Sequence, residues 1–431
     1  MLKRLELRNV GPASHLALNP VAPRFNFLTG DNGLGKSFLL EAAWWALTRT
    51  WHESQAVPNG PEASIIYSFD GLDRTHTYTS KWDIKKQQWN RSTGRPPNPG
   101  LVIYARVDGS FSVWDPARNY VLWQRADGGQ LESPPSYQFT AHSVLYGLNR
   151  RINLTGIPQD ELICAGLIDD WTRWHQIKDK SPQYKLLCRL LEQLGPEDQS
   201  LSPGEPIAPY FGDQRKIPTI RMSYGQDVPI TYAPAGVKRI TMLTYLLAWC
   251  FSEHQRACKR INQPLSSQII VLIDEPETHL HPRWQRTVLP SLYNSINSWN
   301  ASKSYKPTVQ FMVATHAPLV MASMESIFDE KQDALWKMDL VDDEVVIERD
   351  LWRKRGDVNR WLRSDVFDLP EATSLEAQHA LREAAVLCQQ EQPSLDEVKV
   401  VNEMLSKHLP GMDPFFIRWQ RLMGDKLEAI R

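Results

Sequence analysis

The chain has 431 residues, enough for about three domains of ~150 residues each or for one elaborated α/β domain. Its formal net charge is −1, so no global field draws it to nucleic acid or lipid, and any nucleic-acid site must be a local patch. Charged residues make up 23% of the sequence, which is near an ordinary globular value and gives no indication of disorder.

The five cysteines are scattered and contain no C-x-x-C pair. This pattern favours a reducing compartment over a disulfide framework or a cysteine metal site. The sequence contains no apolar run of about 18 residues, and it starts directly with a strand-like segment at 2–9. We therefore expect a cytoplasmic protein without a membrane partner.

The first motif is Gly30-Asp31-Asn32-Gly33-Leu34-Gly35-Lys36-Ser37, which fits the phosphate-binding loop G-x-x-x-x-G-K-[ST]. A strand-like segment at 25–29 precedes it and a helical pattern over 36–50 follows, which disfavours a chance glycine-rich turn. Its glycines free backbone N–H groups to face phosphate oxygens, and the helix adds its positive end. We expect Lys36 to reach the β- and γ-phosphates and Ser37 to hold Mg²⁺. The predicted nucleotide-binding residues are Gly30, Asp31, Asn32, Gly33, Leu34, Gly35, Lys36, Ser37 and Phe38.

A β-rich stretch follows, with turn signals between its strand-like segments at 64–69, 75–82, 101–105, 110–114 and 120–123. We predict an antiparallel β meander. Within it, residues 81–95 interleave basic and aromatic side chains, so this region is a candidate for binding a phosphate backbone and stacking bases. A solvated hairpin tip is the commoner meaning of such a segment.

Residues 136–196 are predicted to be helical because their apolar residues recur at helical spacing. This pattern includes Leu162, Ile163, Leu167, Ile168, Trp171 and Trp174. A Pro/Gly-rich loop over 197–216, short strands at 220–224 and 228–232, and a long helix over about 237–262 complete this part.

The second motif ends a continuous apolar run at 268–273, which is typical of a central parallel strand buried on both faces. The run leads into Asp274-Glu275-Pro276-Glu277-Thr278-His279-Leu280-His281-Pro282. Two acids at the end of a buried strand need a cation or a reactive partner. Beside a phosphate loop, we expect Asp274 to bind Mg²⁺ and Glu275 to polarise the attacking water. The alternative is that the acids merely cap the strand.

Three histidines follow buried segments. His279 and His281 are two apart, without H-E-x-x-H spacing, which favours a hydrogen-bonded turn over a metal site. His316 follows a third strand at 309–314, and the carboxyl ends of strands in α/β sheets border ligand crevices. We expect His316 to hydrogen-bond the γ-phosphate or the attacking water.

These three motifs resemble the ABC-type ATPase head shared by SMC, RecF-like and OLD-family proteins, in the family's order, over about residues 1–340. The segment Glu277-Thr278-His279-Leu280-His281-Pro282 is similar to the OLD-like branch. That branch supplies ATPase subunits of bacterial anti-phage systems of the Septu type and of some retron-associated ones. The resemblance implies an α/β P-loop ABC-type ATPase head with a mixed or parallel central sheet, an antiparallel β meander, a helical lobe and a C-terminal helical extension.

The resemblance also implies ATP and Mg²⁺ as cofactors, with ATP sandwiched between two heads of a homodimer or higher homo-oligomer. The family signature L-S-x-G-x-x-[QR] corresponds to Ala233-Pro234-Ala235-Gly236-Val237-Lys238-Arg239. Pro234 replaces the signature serine and brings neither a hydroxyl nor an N–H, so slow hydrolysis is expected. Gly236 and Lys238 are predicted to contact the phosphates. The implied catalytic residues are Lys36, Glu275 and His316, the implied metal ligands are Ser37 and Asp274, and the family's Q-loop glutamine has no assignable position.

Four regions follow from these patterns: 1–135 and 236–348 as the two parts of the ATPase head, 136–235 as the helical lobe with its loop, and 349–431 as a helical region for partner docking or oligomerisation. In the last region, an aromatic and apolar set looks exposed: Trp361, Phe367, Leu369, Phe415, Phe416 and Trp419. The alternative is that this region packs on its own head.

Three functions compete. The first is a regulatory or sensor ATPase of an anti-phage complex that controls a separate effector, a nuclease or a toxin. The second is a RecF- or SMC-like repair ATPase that acts directly on DNA, which the neutral charge and the lack of coiled-coil arms disfavour. The third is an ATP-dependent nuclease, which the lack of Toprim and H-N-H motifs disfavours. We expect the first.

Overall fold

A computed structural model describes residues 1–52, 54–71, 74–90, 98–120, 136–154, 157–177, 181–195, 201–212, 214–297, 299, 305–367, 369, 373–390 and 393–424. The chain divides into two compact units, Met1–Gly356 and Asp357–Arg431. None of the helices in these described ranges combines the length and the apolar character needed to cross a membrane.

The described strands all lie in the first unit. They are β1 (Leu2–Val10), β2 (Ala13–Leu18), β3 (Phe25–Thr29), β4 (Ser64–Asp70), β5 (Thr75–Asp83), β6 (Gln88–Trp89), β7 (Leu101–Ala105), β8 (Phe111–Trp114), β9 (Tyr137–Phe139), β10 (Leu148–Leu154), β11 (Ile157–Cys164), β12 (Ser202–Pro203), β13 (Thr219–Arg221), β14 (Asp227–Pro229), β15 (Gln268–Asp274), β16 (Thr308–Ala314), β17 (Ala334–Val341) and β18 (Glu344–Asp350).

The helices of the first unit are α1 (Lys36–Thr48), α2 (Ala141–Tyr146), α3 (Gly166–Ile177), α4 (Pro182–Leu194), α5 (Ala235–Arg260), α6 (Pro282–Gln285), α7 (Val288–Asn297) and α8 (Pro318–Met324). A π-helical turn covers Pro116–Tyr120. The second unit contains α9 (Val358–Leu362), α10 (Leu375–Gln389), α11 (Leu395–His408) and α12 (Pro414–Leu422).

The central sheet has eight strands in the order β18-β17-β3-β16-β15-β7-β8-β9. The five strands from β17 to β7 are mutually parallel, and β18, β8 and β9 are antiparallel to their neighbours. The predicted mixed α/β fold class is therefore confirmed. Because the carboxyl ends of parallel strands meet at one edge, the segments that follow β3, β7, β15 and β16 lie together.

Helix α1 is apolar on nearly all sides because it lies against strands of two sheets. Its residues Leu40, Ala43 and Trp44 are fully buried, and it contacts β15, β16 and β7 of the central sheet as well as β1 and β4. One hydrophobic core therefore joins both sheets around this helix.

The second sheet is antiparallel, with strand order β2-β1-β4-β5-β6. The segments predicted to form one meander are thus divided: β4 and β5 belong to this sheet, whereas β7 and β8 belong to the central one. The reason is that Leu101–Ala105 is buried throughout and pairs in parallel with β15. The predicted strand at 120–123 begins in the π-helical turn, and residues 121–123 lie outside the described ranges.

The predicted helical region begins differently from expectation. Leu162 and Ile163 lie in β11, which forms an antiparallel hairpin with β10, so their assignment to a helix is wrong. Helix α3 starts at Gly166, whose φ is +88° and whose absent side chain leaves room for the Gly147 backbone. The apolar residues that suggested one helix therefore belong partly to the end of β11 and partly to the start of α3. Helices α3 and α4 follow as predicted.

The second unit has its own core. Trp361 and Trp419 are fully buried and Phe416 is 7% exposed, so the prediction that these aromatic residues are exposed is wrong. Phe416 and Trp419 pack with the apolar faces of α10 and α11. Leu369 is exposed. Helix α11 begins after Ser394, which forms a reciprocal hydrogen-bonded cap with Glu397.

We predict that Asp333→Ala lowers the free energy of unfolding of the first unit by about 2–4 kcal/mol. Asp333 is buried and accepts hydrogen bonds from the Arg24 guanidinium at 2.9 and 2.5 Å and from the Phe25 N–H at 3.0 Å. Its loss would leave these donors unpaired where β3 begins. Urea unfolding followed by tryptophan fluorescence measures the change.

The control for that measurement is Asp339→Ala, which removes an exposed pair with Lys337 and should cost less than about 1 kcal/mol. Equal losses in both variants would contradict the structural role of Asp333.

Candidate active site

The loop between β3 and α1 is open to solvent at Asp31, Asn32, Gly33 and Ser37. Its glycines have positive φ: +132° at Gly30, +84° at Gly33 and +96° at Gly35. A side chain at Gly30 would meet the Met338 carbonyl oxygen at 2.3 Å, so this position needs glycine. The result is an exposed concave backbone next to the first turn of α1.

Two apolar residues hold this loop in place. Leu34 is buried, and a Cβ added at Gly11 would overlap the Phe38 ring, so the Phe38 ring packs against the turn between β1 and β2. Leu34 and Phe38, both predicted nucleotide-binding residues, thus contact the protein core in this structure.

The Lys36 ammonium group is folded back onto its own loop. Its Nζ donates to the carbonyl oxygens of Gly30 at 2.8 Å and Asp31 at 2.7 Å. Burial lowers the pKa of Lys36, and the nearby carboxylates of Glu275 and Asp274 oppose that shift. The cation therefore lies between the loop carbonyls and the acids that follow β15.

Asp274 and Ser37, the two predicted metal ligands, are in contact. Asp274 is 3% exposed, and burial raises the pKa of its carboxyl group, whereas a hydrogen bond with the Ser37 side chain and the charges of Arg106 and Lys36 lower it. Among the described residues, no cluster of three or more His, Cys, Asp or Glu could hold a metal. A hydroxyl beside one carboxylate suits Mg²⁺, which takes few protein ligands and keeps several waters or phosphate oxygens.

Glu275 follows Asp274 in the left-handed region, with φ at +48°, which is uncommon for a non-glycine residue. Its N–H donates to the Ala314 carbonyl at 2.9 Å, and its carboxylate accepts from the Thr278 hydroxyl at 2.9 Å. The other carboxylate oxygen lies 3.5 Å from Nε2 of His316. Both side chains are 30% exposed, so they face the open crevice.

Burial and the Lys36 charge lower the pKa of His316, while Glu275 raises it less. A hydrogen bond between the His316 ring and the Gly30 backbone also raises this pKa. The structure therefore brings Lys36, Ser37, Asp274, Glu275 and His316 together at one sheet edge, and their catalytic and metal-binding roles stay predictions.

Glu277 is a residue that sequence reasoning did not assign to the site. Its Oε1 accepts from the Thr315 hydroxyl at 2.7 Å and the His316 N–H at 2.9 Å. Its Oε2 is buried without a hydrogen-bond partner among the described residues. Burial raises the pKa of this carboxyl group. Glu277 thus ties the segment after β15 to the segment after β16.

Two arginines were also missed. Arg239, in the first turns of α5, donates to the carbonyl oxygens of Glu275 at 3.0 Å and Asp274 at 3.4 Å and also bonds the Val107 carbonyl. Arg106 follows β7 directly and pairs with Glu41 at 3.0 Å. Arg106 could have been predicted from the sequence because it directly follows a buried strand, at the edge of the sheet that carries Asp274.

The predicted signature residues lie where α5 begins. A side chain at Gly236 would meet the His279 carbonyl at 2.7 Å, so the helix start approaches the segment after β15 closely. Lys238 Nζ donates to the Thr231 carbonyl at 3.1 Å, and Pro234 makes no side-chain cap. Gly236 and Lys238 therefore touch their own chain here, and their contact with a nucleotide stays a prediction.

The remaining candidate residues have structural contacts. His279 has a positive φ of +63°, and His281 caps α6 by accepting from the Arg283 N–H. In the region 81–95, Trp89 is buried and donates to the Ala56 carbonyl at 2.8 Å, so it offers no face to a base. Arg91 and Arg95 lie outside the described residues.

Residues 189–321 match the protein family described as AAA ATPase domain. The chain is 39% identical over 66 residues to "Retron Vc95 probable ATPase" of Vibrio cholerae serotype O1 biovar El Tor, which covers 15% of this chain and 11% of that protein. It is 41% identical over 63 residues to "Retron Ec83 probable ATPase" of Escherichia coli, which covers 15% and 10%. The chain thus matches about a tenth of the length of each relative.

Solved structures with a similar fold include the SMC head domain from Thermotoga maritima, with 14% identity, a TM-score of 0.40 and coverage of 81% of this chain and 99% of that one. The SmcHead bound to the C-winged helix domain of ScpA has 14% identity, a TM-score of 0.43 and coverage of 81% and 97%. The match of residues 189–321 to the AAA ATPase domain confirms the resemblance to an ATPase, and a segment of about 65 residues is similar in sequence to the two retron probable ATPases.

Proposed function

We propose that the chain binds ATP with Mg²⁺ and hydrolyses it slowly. The observation that carries this proposal is the convergence of the glycine loop, the Ser37–Asp274 contact and the Glu275–His316 pair at the carboxyl edge of the central sheet. A chance glycine turn or a mere acidic strand cap would not require all three segments to meet.

In this proposal, the γ-phosphate replaces the carbonyls of Gly30 and Asp31 as partner of the Lys36 ammonium. Oxygens of Ser37 and Asp274 would hold Mg²⁺, whose charge would stabilise the phosphate oxygens.

Glu275 is the group best placed to accept a proton from the attacking water. Its carboxylate is partly exposed, whereas that of Glu277 is buried and occupied by Thr315 and the His316 N–H. His316, whose pKa is lowered, is mainly neutral near pH 7 and can donate one hydrogen bond to a phosphate oxygen or orient the water. We assign these roles from the positions of the Glu275 and His316 side chains in the crevice and from how far each side chain is exposed.

We extend the proposal to a homodimer or higher homo-oligomer that closes over ATP through Gly236 and Lys238. The Lys238 ammonium would exchange the Thr231 carbonyl for a phosphate oxygen of the facing copy. Pro234 supplies no hydroxyl at the signature position, which favours slow turnover.

The biological role that we propose is a cytoplasmic regulatory or sensor ATPase that controls a separate effector, a nuclease or a toxin, in an anti-phage system. The similarity to two proteins named as retron probable ATPases supports this role. Rapid DNA cleavage by the purified chain would contradict it, and tight, salt-sensitive DNA binding without a partner would favour direct action on DNA.

Lys36→Ala should weaken ATP binding about 100-fold or more, because a charge-assisted contact to phosphate is lost. Calorimetric titration of a non-hydrolysable ATP analogue in the presence of Mg²⁺ measures the dissociation constant. Lys85→Ala, at an exposed turn, is the matched control and should bind like the unmodified chain. Unchanged binding by the Lys36 variant would contradict the assignment of the loop.

Glu275→Gln should retain ATP binding and lower the hydrolysis rate by about 10²–10⁴, the usual contribution of a general base. Size-exclusion chromatography with light scattering should then show an ATP-dependent rise in mass, because the closed assembly no longer reopens after hydrolysis. Glu348→Gln, on the outer strand β18, should leave both readouts unchanged. A fully active Glu275 variant would refute its role as the base.

Glu277→Ala should reduce the hydrolysis rate about 10-fold or more while leaving ATP affinity within about twofold, because His316 loses the acceptor that positions its N–H. Glu277→Gln keeps the carbonyl oxygen and, given the raised pKa of Glu277, should recover most of the rate. Single-turnover assays of both variants, with ATP affinity measured in parallel, make the comparison. A Gln variant as slow as the Ala variant would show that the carboxylate charge matters.

A further inference from the structure

A cavity of about 680 Å³ lies between α4 and the second half of α5. Four cationic side chains line it: Lys185 and Arg189 from α4, and Arg256 and Lys259 from α5. The α5 residues that line it, from Phe251 to Lys259, are 16 to 24 residues beyond Ala235, so the cavity lies roughly 24–36 Å along α5 from the proposed signature. It is therefore a separate site of the first unit.

The positive charge of this cavity is largely uncompensated. Among the described residues that line it, none is acidic. The nearest carboxylate on α5, Glu253, pairs with Arg256 at 2.6 Å and also with Arg118, so one acid serves two guanidinium groups. Within the described part of the chain, Lys185, Arg189 and Lys259 form no ion pair. In a chain of net charge −1, this is a marked local excess.

The stability of the fold does not account for these cations. Lys185 and Arg189 are four residues apart on one helix, and Arg256 and Lys259 are three apart, so each pair repels. Lys259 gains from its place in the last turn of α5. Lys185 lies in the first turn of α4, where the positive end of the helix disfavours a cation. An anion in the cavity would relieve both repulsions.

The cations stand on two helices that pack against each other. Leu186, Leu187 and Leu190 of α4 are buried, and α4 packs on α5. Phe251 of α5 stacks on Trp299 beneath the cavity. A smaller cavity of about 270 Å³ adjoins it, shares Arg256 and adds Arg173. The four cationic side chains thus line one concave space from two packed helices, and all four are exposed to solvent.

The geometry points to a compact ligand that carries several phosphate groups, such as a polyphosphate chain or a highly phosphorylated nucleotide. The volume lies within the range of small-molecule sites, about 300–1,000 Å³. Guanidinium forks match phosphate oxygens in shape and charge. Phe251 and Trp299 are both 3% exposed, so they present no open ring face for a stacked base, which disfavours a single-stranded nucleic acid.

The test uses inorganic tripolyphosphate as the probe and the full chain with Lys36→Ala, which weakens phosphate binding at the competing loop between β3 and α1. Isothermal titration should show one binding event. Adding Lys185→Glu and Arg189→Glu should weaken it about tenfold or more, because two charge-assisted contacts are lost and repulsion is gained. Lys399→Glu with Lys407→Glu, exposed on α11, makes the same change in net charge and should leave binding intact.

Melting curves check that each variant is folded, and Lys36→Met replaces Lys36→Ala if the alanine chain does not fold. Parallel titrations with ATP, a 20-nucleotide oligothymidylate and polyglutamate identify the ligand class. ATP binding that depends on Lys185 and Arg189 narrows the ligand to nucleotides. Absent tripolyphosphate binding, equal loss in both charge-reversal variants, or cavity-dependent binding of only the oligonucleotide or polyglutamate would overturn the proposal.

Discussion

The arrangement of the site depends on keeping a carboxylate buried at the end of a central strand. Asp274 is 3% exposed and has Ser37 as a hydrogen-bond partner and the charges of Lys36 and Arg106 nearby. An isolated buried charge is costly, so the glycine loop and the loop after β7 must come close to it. The Arg239 guanidinium then fixes the backbone on which Asp274 and Glu275 sit. The need to compensate the buried Asp274 carboxylate thereby brings together loops that lie far apart in the sequence.

Much of the head could be predicted from local pattern alone. The continuous apolar runs at β15 and β16 indicate parallel strands, and the strand, glycine loop and helix around Lys36 define their own geometry. Since parallel strands place their carboxyl ends together, the meeting of Asp274, His316 and Lys36 follows from order and polarity. These features are specified by residues that are close in sequence, which explains why they could be predicted from the sequence.

What could not be predicted depends on long-range pairing. Leu101–Ala105 is a continuous apolar run, unlike β5, but it is short and its parallel partner β15 lies far along the chain, so its place in the central sheet was not predicted. Leu162 and Ile163 lie in a strand, but they fit a helical spacing because the apolar residues of the helix that starts at Gly166 happen to continue the same spacing. Trp419 looks exposed until α10 and α11 supply the apolar faces that cover it, and Trp361 is also fully buried in the folded chain. Likewise, Glu277 and Arg239 gain their importance from contacts with other segments.

Helix α5 is continuous for 26 residues, with the proposed signature at its beginning and the cationic cavity near its end. At 1.5 Å per residue it is a rod of roughly 39 Å, and a tilt of only about 3° would shift one tip by roughly 2 Å relative to the other. Hydrogen-bond lengths tolerate changes of only a few tenths of an ångström. The helix therefore has the dimensions of a lever: a small tilt set at the end that carries the cavity would shift the Arg239 guanidinium relative to the backbone carbonyls it contacts.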